Sequence, residues 1–394
     1  MFDAVPLLAD LVRLPSVNPM GRPISGPEFL ERRVSDYLCG KLQQLGVEWE
    51  RVEVAPERAN VLARLPGSPG LPTIVLDAHQ DTVPVDGMVI PPFEASIRDG
   101  RLWGRGACDV KGGVATMLAA FAKLVVEQPS PRPTVVCTFT CDEEATSLGI
   151  NHLTSSWSGG APKYRLLPAP PDIAIVAEPT SLDAVVAHRG AVRWQITTTG
   201  RACHSSRPEQ GVNAIYRMAD VLKHLEAFAQ WLPTSRAQHP LCGPATLSVG
   251  IITGGISVNA VPDRCTIEID RRVLPGELRE DVIPEVAGYL RERLDFEVEH
   301  SSPFVFSPPL GDDLNGAWAD QLLSAIQPVV GTRHKIGVAY GTHASRFAAV
   351  GVPAVVFGPG DIAQAHTKDE WIALEQVTQA VECYYQFCCT AALP

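Results

Sequence analysis

Two histidines and a series of acidic residues fall at points where a sheet protein concentrates its chemistry. His79 and Asp81 follow the apolar run TIVLDA, and Asp142, Glu143 and Glu144 follow TVVCTFT. Glu178 follows DIAIVA, and His366 sits in the loop after AVVFGPG. These runs are short, continuous and rich in β-branched residues, as strands covered on both faces are. Groups released at the carboxyl ends of such strands line the crevice where open α/β sheets bind ligands. Asp109 joins them from the segment Gly104–Asp109, ahead of a helical stretch beginning at Val114.

Singly, each residue has an ordinary explanation. A histidine at a strand end is usually hydrogen-bonded structure, Glu143-Glu144 suits a solvated loop, and Asp109 suits a helix cap. Jointly these explanations strain, because adjacent carboxylates ending an apolar strand repel unless positive charge lies beside them. A metal supplies it, and a set of two histidines with three carboxylates matches the nitrogen and oxygen chemistry of zinc. One catalytic zinc takes three protein ligands and keeps a position open. Five ligands suit two ions ~3.5–4 Å apart with one carboxylate shared between them. Neighbours in an extended segment point to opposite sides, so Glu144 is expected on a metal and Glu143 toward the water the metals hold.

The elements that must position these groups form an α/β domain. The apolar runs Thr73–Ala78, Thr134–Thr140, Asp172–Ala177 and Ala354–Phe357 alternate with helical stretches at Val114–Glu127 and Trp371 to about Cys388, which predicts a mostly parallel sheet flanked by helices. The middle of the chain has another rhythm. Ala191–Gly200 alternates as a strand, Gly211–Phe228 is helical, Ala245–Thr253 and Arg264–Val273 read as strands, Gly276–Leu294 as a charged helix and Phe296–Phe304 as a last strand. That order is βαββαβ, a unit that folds by itself. We therefore expect an inserted α+β domain at residues 188–303, with 1–187 and 304–394 forming the main domain. The 394 residues exceed what one core supports, ~250–300 residues.

Composition narrows the partners. A formal charge of −11 without a basic block argues against nucleic acid or an anionic membrane. No apolar run reaches the ~20 residues of a membrane span. The amino-terminal stretch, carrying Asp3 and Asp10, reads as a first helix and not a secretory leader. The ten cysteines are scattered without a CxxC pair, as buried thiols of a reducing compartment are, and the cytoplasm is expected. There is no GxSxG elbow for a serine nucleophile, and Gly104 and Gly106 do not continue into a dinucleotide fingerprint.

The strings LDAHQDTVP, GRGACDVKGGVATML, TCDEE, VAEPT, GRACHSSRPEQGVNAI, GGISVNAVPDRC and FGPGDIAQAH resemble, in order and spacing, one family. It is that of the co-catalytic zinc amidohydrolases and exopeptidases, which includes acetylornithine deacetylase, succinyl-diaminopimelate desuccinylase, aminoacylase and glutamate carboxypeptidase. The resemblance covers essentially the whole chain. It implies a zinc-exopeptidase-like three-layer catalytic domain with a ferredoxin-like lid and dimerisation domain, two Zn2+ ions with Co2+ or Mn2+ as substitutes, and a homodimer joined through the lid.

Carried over residue by residue, the resemblance puts the bridging carboxylate at Asp109, one zinc on His79 and Glu178 and the other on Glu144 and His366. Asp81 matches the carboxylate orienting the His79 imidazole, and Glu143 the general base. His204 matches a histidine that reaches the neighbouring subunit's site to stabilise an oxyanion. Asn259 and Arg272 match residues that hold the substrate carboxylate, and Gly341 and Thr342 are read as substrate-lining. Ordinary readings stand beside these: His204 as a turn residue, Asn259 as a hairpin former, Arg272 as a strand-end charge. His343 departs from the pattern, standing where relatives commonly place Asp or Glu. The implied substrate is a small N-acyl amino acid, and GPGDIAQAH resembles the deacetylase branch that acts on N-acetylornithine. Desuccinylase, aminoacylase and dipeptidase activities use the same machinery. From a different class, a non-catalytic metal or amino-acid binding protein would have no need of Glu143.

Overall fold

The computed structural model describes residues 2–24, 26–157, 159 and 163–394. The chain divides into two compact units, one of Met1–Val186, Asp312–Ile336 and Thr342–Pro394, the other of Ala187–Gly311 and Gly337–Gly341.

The first unit is built on an eight-stranded mixed sheet. Its strands run in the order Glu48–Ala55, Arg58–Leu65, Thr134–Thr140, Thr73–His79, Ile173–Val176, Ala354–Val356, Ala184–His188 and Lys335–Val338. The expected parallel arrangement is found in its centre, where Thr134–Thr140, Thr73–His79, Ile173–Val176 and Ala354–Val356 pair in parallel. The first two strands form an antiparallel hairpin that joins Thr134–Thr140 antiparallel. Thr73–His79 and Thr134–Thr140 are buried at every position after the first, which is why they read as unbroken apolar runs.

The helix Lys111–Glu127 is buried from Lys111 through Ala122 and packs against Leu374–Thr390 and Ala4–Val12. Burying side chains such as Leu118 and Phe121, both fully enclosed, contributes ~1.5–3 kcal/mol each. This helix starts before Val114, at Lys111. The carboxyl-terminal helix starts later than Trp371, because Trp371–Ala373 is a strand paired with Arg101–Trp103. No helix among the described residues is long and apolar enough to cross a membrane.

The second unit is α+β. Its antiparallel sheet has the order Thr246–Gly254, Arg264–Val273, Gly190–Thr199, Glu299–His300. Arg264–Val273 alternates strictly between buried and less buried positions, the signature of a sheet covered on one face. The covered face packs Trp194, Ile196, Ile267 and Ile269 against Met218, Val221, Leu225, Val286 and Leu290 of the helices Ala214–Ser235 and Val282–Arg291.

Two elements are shorter than expected. The charged helix is confined to Val282–Arg291, with a short 3-10 turn at Arg279–Asp281. Pro284 is tolerated only in a first helical turn, and Gly276 turns the chain at φ +85°. The last strand is split into Glu299–His300 and Val305–Ser307 around Pro303, which has no N–H for a ladder. Because Val305–Ser307 still pairs with Gly190–Thr199, the second unit continues past residue 303.

Candidate active site

Parallel pairing brings the acidic loops to one level. His79 lies opposite Thr140, and Asp77 opposite Val176. The ladder runs just past the strand ends: Gln80 N–H donates to Thr140 O (2.9 Å), Ala177 N–H to Asp77 O (2.8 Å) and Phe357 N–H to Val176 O (2.9 Å). The loops bearing His79, Glu143-Glu144, Glu178 and His366 therefore leave the same carboxyl edge. Asp109 comes from the turn before the Lys111–Glu127 helix. Gly113 lets that helix approach closely, since a Cβ there would lie 2.5 Å from the Ala177 Cβ.

Five of these residues converge in two groups. Ligand atoms of His79, Asp109 and Glu178 lie within 4.8 Å of one another, as do those of Asp109, Glu144 and His366. Asp109 is common to both: Oδ1 is 3.2 Å from His79 Nε2, and Oδ2 is 3.3 Å from His366 Nε2, which is also 3.2 Å from Glu144 Oε2. Asp109 is thus committed to the imidazoles, and the helix behind it has no side-chain cap.

The Glu143-Glu144 pair is separated differently from expectation. The segment after Thr140 is a turn, with Asp142 left-handed at φ +63°, and not an extended strand. The two glutamates are held by their backbones, Glu143 N–H donating to Asp81 Oδ1 (3.0 Å) and Glu144 N–H to Asp81 Oδ2 (3.1 Å). Asn18 Nδ2 joins Asp81 Oδ2 to Asp142 Oδ1, at 2.8 Å from each. Arg58 donates to Asp142 (2.6 Å) and by two nitrogens to the buried Glu31. The nearest acceptor for His79 Nδ1 is the Asp81 backbone carbonyl at 3.0 Å, with the Asp81 carboxylate at 3.6 Å. Asp81 therefore meets His79 through its backbone carbonyl, with its carboxylate charge close by, and holds the glutamate turn through that carboxylate.

The electrostatics are those of a site crowded with negative charge. Burial, then the charge of Asp109, pushes Glu144 up to about 8 and Glu178 well above the carboxylate range. Burial also raises Glu143. Hydrogen bonds to Asp109 and then Glu144 lift His366 to about 10. Burial opposes a charge on His79, yet Asp109 and Asp81 raise it well above its ordinary value. Asp109 is itself held low by the two imidazoles against the effect of burial. Glu144 Oε1 is buried with no hydrogen-bond partner among the described residues. An orphaned carboxylate oxygen, carboxyls forced toward neutrality and a mixed imidazole–carboxylate donor set fit divalent metal ions.

The other expected residues are placed as follows. His204 lies on the exposed two-residue strand Cys203–His204, paired with Ala260–Val261. Asn259 is beside it, its carbonyl accepting from Ser205 N–H at 3.0 Å. The His204 Nδ1 accepts the Ser206 N–H (3.2 Å), which leaves the proton on Nε2. Arg272 is half-buried on Arg264–Val273, its Nε 2.7 Å from Asp270 Oδ1. Within the second unit the structure brings His204 and Asn259 together, and Arg272 lies on another strand. Gly341 belongs to the second unit; Thr342, in the first, is buried.

Sequence reasoning missed Asn18, Glu31, Arg58, Arg105 and Glu370, all polar supports of the ligand loops. It also left His343 without a role. His343 is buried, with Nδ1 3.1 Å from Asp77 Oδ2 and its ring 6.3 Å from that of His79. One usable signal was Arg105, an arginine inside the glycine-rich turn before Asp109; an arginine buried there requires a carboxylate partner.

Fold and site together place two candidate metal-holding groups at the carboxyl edge of the first unit's sheet. The model of peptidase family M20/M25/M40 matches residues 75–390, and the chain belongs to that family. It is 31% identical over 369 residues to an acetylornithine deacetylase of Vibrio campbellii, covering 91% of this chain and 92% of that protein. A Vibrio cholerae acetylornithine deacetylase is 32% identical over 370 residues, covering 90% and 89%. Among solved structures, the M20 family metallo-carboxypeptidase Sso-CP2 of Sulfolobus solfataricus superposes with a TM-score of 0.76 at 18% identity, over 98% of this chain and 99% of that one. Aminopeptidase PepT of Bacillus cereus gives 0.74 at 22% identity, over 98% and 97%. These two similarities concern the fold.

Proposed function

We propose that this chain is a two-metal amidohydrolase cleaving the amide of an N-acyl amino acid, with N-acetylornithine as substrate and ornithine and acetate as products. The observation that carries the chemistry is the pair of ligand groups sharing Asp109 beside Glu143. The substrate reading is supported by the names of the relatives at about 30% identity over most of the chain.

His79, Asp109 and Glu178 would hold one ion and Asp109, Glu144 and His366 the second, with zinc the expected metal. Bound there, divalent ions supply Lewis acidity, which acidifies water and polarises an amide carbonyl. The Glu143 carboxylate takes the proton of the attacking water and returns it to the leaving amine nitrogen. Nε2–H of His204 donates to the substrate oxygen as it gains charge, in the tautomer that the Ser206 N–H favours. Asn259 and the planar donor fork of Arg272 grip the α-carboxylate, and Gly341 and Thr342 line the substrate.

We extend the reading to a homodimer through the second unit, with His204 acting in the partner's site. Its support is the edge strand Thr246–Gly254, paired on one side only among the described residues, and the exposed Ile251, Ile252, Ile256 and Val258 around it. All ten cysteines are free, which supports a reducing, cytoplasmic setting.

The test is amine release by the zinc-loaded protein from N-acetylornithine, N-succinyl-diaminopimelate, N-acetylmethionine and a dipeptide. Preference for N-acetylornithine, lost with chelator and restored by zinc, is expected. Preference for another amide keeps the chemistry and moves the substrate. No release from any of the four by a chain carrying two metals overturns the proposal.

A further inference from the structure

The turn that presents Asp109 is organised by a carboxylate distant in sequence. Glu370 is completely buried. Its Oε1 accepts the N–H groups of Cys108 (2.8 Å) and Asp109 (3.0 Å), and its Oε2 accepts Gly106 N–H (3.0 Å) and Arg105 Nη1 (2.7 Å). Three backbone donors of one turn thus converge on a single side chain, a concave nest of N–H groups around an anion. Gly106, at φ +81°, lets the turn close; a Cβ there would lie 2.7 Å from Thr82 Cγ2.

Arg105 extends the arrangement to two further loops. It is buried, and its Nη2 donates to Pro84 O (3.1 Å) and Thr367 O (3.2 Å). Pro84 lies just beyond His79 and Asp81, and Thr367 directly follows His366. Glu370 therefore fixes the loop of the shared carboxylate, and Arg105 ties it to the loops of both histidines. Glu144 and Glu178 are held by other contacts.

We propose that Arg105 and Glu370 form a positioning unit that sets the spacing of His79, Asp109 and His366 and thereby the affinity of both metal groups. This rests on the two-metal reading above. An ion pair placed only for stability would not need its five backbone partners distributed over three ligand loops. Glutamine at 370 keeps the shape but turns one oxygen into a donor facing another donor. Lysine at 105 keeps the charge beside Glu370 but lacks the fork that reaches Pro84 O and Thr367 O.

The experiment is chelator-competition titration of zinc, and the visible spectrum of the cobalt-loaded protein, for wild type, Glu370→Gln and Arg105→Lys, with melting of each metal-free chain recorded alongside. Supports of metal ligands typically change affinity ~10–100-fold. Glu370→Gln should weaken both sites by that amount together and alter the cobalt bands. Arg105→Lys should preserve the fold and weaken binding less, mainly at the group containing His366. Variants that stay folded and bind two zinc ions with wild-type affinity and spectrum overturn the proposal while leaving the two-metal reading intact. Wild-type protein that fails to bind two ions overturns both. Should Glu370→Gln not fold, Arg105→Lys decides, since unchanged affinity in it removes the role given to the fork.

Discussion

Asp109 and Asn259 are both polar residues in loops, yet they live under opposite conditions. Asp109 is buried, both its oxygens face imidazoles, and its own N–H is bound by Glu370. Asn259 is exposed, its side chain meets Ser257, and the neighbouring Val258 and Ile256 stand free in solvent. The first is held before any ligand arrives. Any ligand meeting the second would have to order it, and ordering a side chain on binding costs ~0.5–1.5 kcal/mol. Preorganisation is thus concentrated where charge must be confined, and exposure on the loop proposed to meet a substrate or a second copy.

The largest effect that could break this contrast is expected from Asp109→Ala. Removing the shared carboxylate should cost both metals, read by elemental analysis, with turnover falling to background; loss of only one ion would show that Asp109 is not shared. Glu143→Ala should lower kcat by ~10²–10⁴ while two metals remain, and metal loss would make it a ligand instead of a base. His204→Ala should lower kcat by ~10²–10³ with metals and melting unchanged. Mixing that variant with Glu143→Ala should restore activity if sites are shared between copies, and a mixture as inactive as its components would assign His204 to its own chain.

Arg58→Ala tests the buried side through its support network. It leaves the carboxylate of Glu31 unpaired, which burial already pushes up to about 7 against the pull of Arg58. We expect ~3–5 kcal/mol of lost stability and a fall in activity of about 10–100-fold, measured by denaturant melts and initial rates.

The finest test counts protons. In the metal-free protein Glu144 is raised from 4.5 to about 8 by burial and Asp109, and His366 from 6.5 to about 10 by Asp109 and Glu144, so the pair is expected to hold protons at pH 7. Metal must displace them. Calorimetry in buffers of different ionisation enthalpy should find more than one proton released at pH 7 and affinity rising with pH. For the same groups the sign for metal-free stability is opposite: their contribution is present below pH 4.5 and 6.5 respectively and is lost as pH rises through 8 and 10.

How far the sequence could be read follows the same physical division. Strands buried on both faces, such as Thr134–Thr140, announce themselves as continuous apolar runs, and Arg264–Val273 by strict alternation. The acidic residues at their ends could be named because a parallel sheet delivers its loops to one edge. The turn after Thr140 could not be read, because its shape comes from Asp142 at positive φ and from two N–H groups on Asp81, a partner distant in sequence. Glu370 was hidden for the same reason: Arg105 signals that a carboxylate partner is needed, but which one is set by a long-range contact that no local period records. Phe296–Phe304 was overextended because its apolar pattern outweighed Pro303.

The ligand set opens at His79 and is completed only by His366, with Glu370 later still and the whole second unit lying between in sequence. The candidate set is therefore assembled from contacts of long sequence separation. Contacts of such separation pay the cost of closing a long loop before they return any stability, which makes their formation slow. A chain emerging from synthesis carries Asp109, Glu143, Glu144 and Glu178 long before it has His366 to help neutralise them or Arg105 its carboxylate partner. A chain stalled before His366 carries only part of the candidate ligand set.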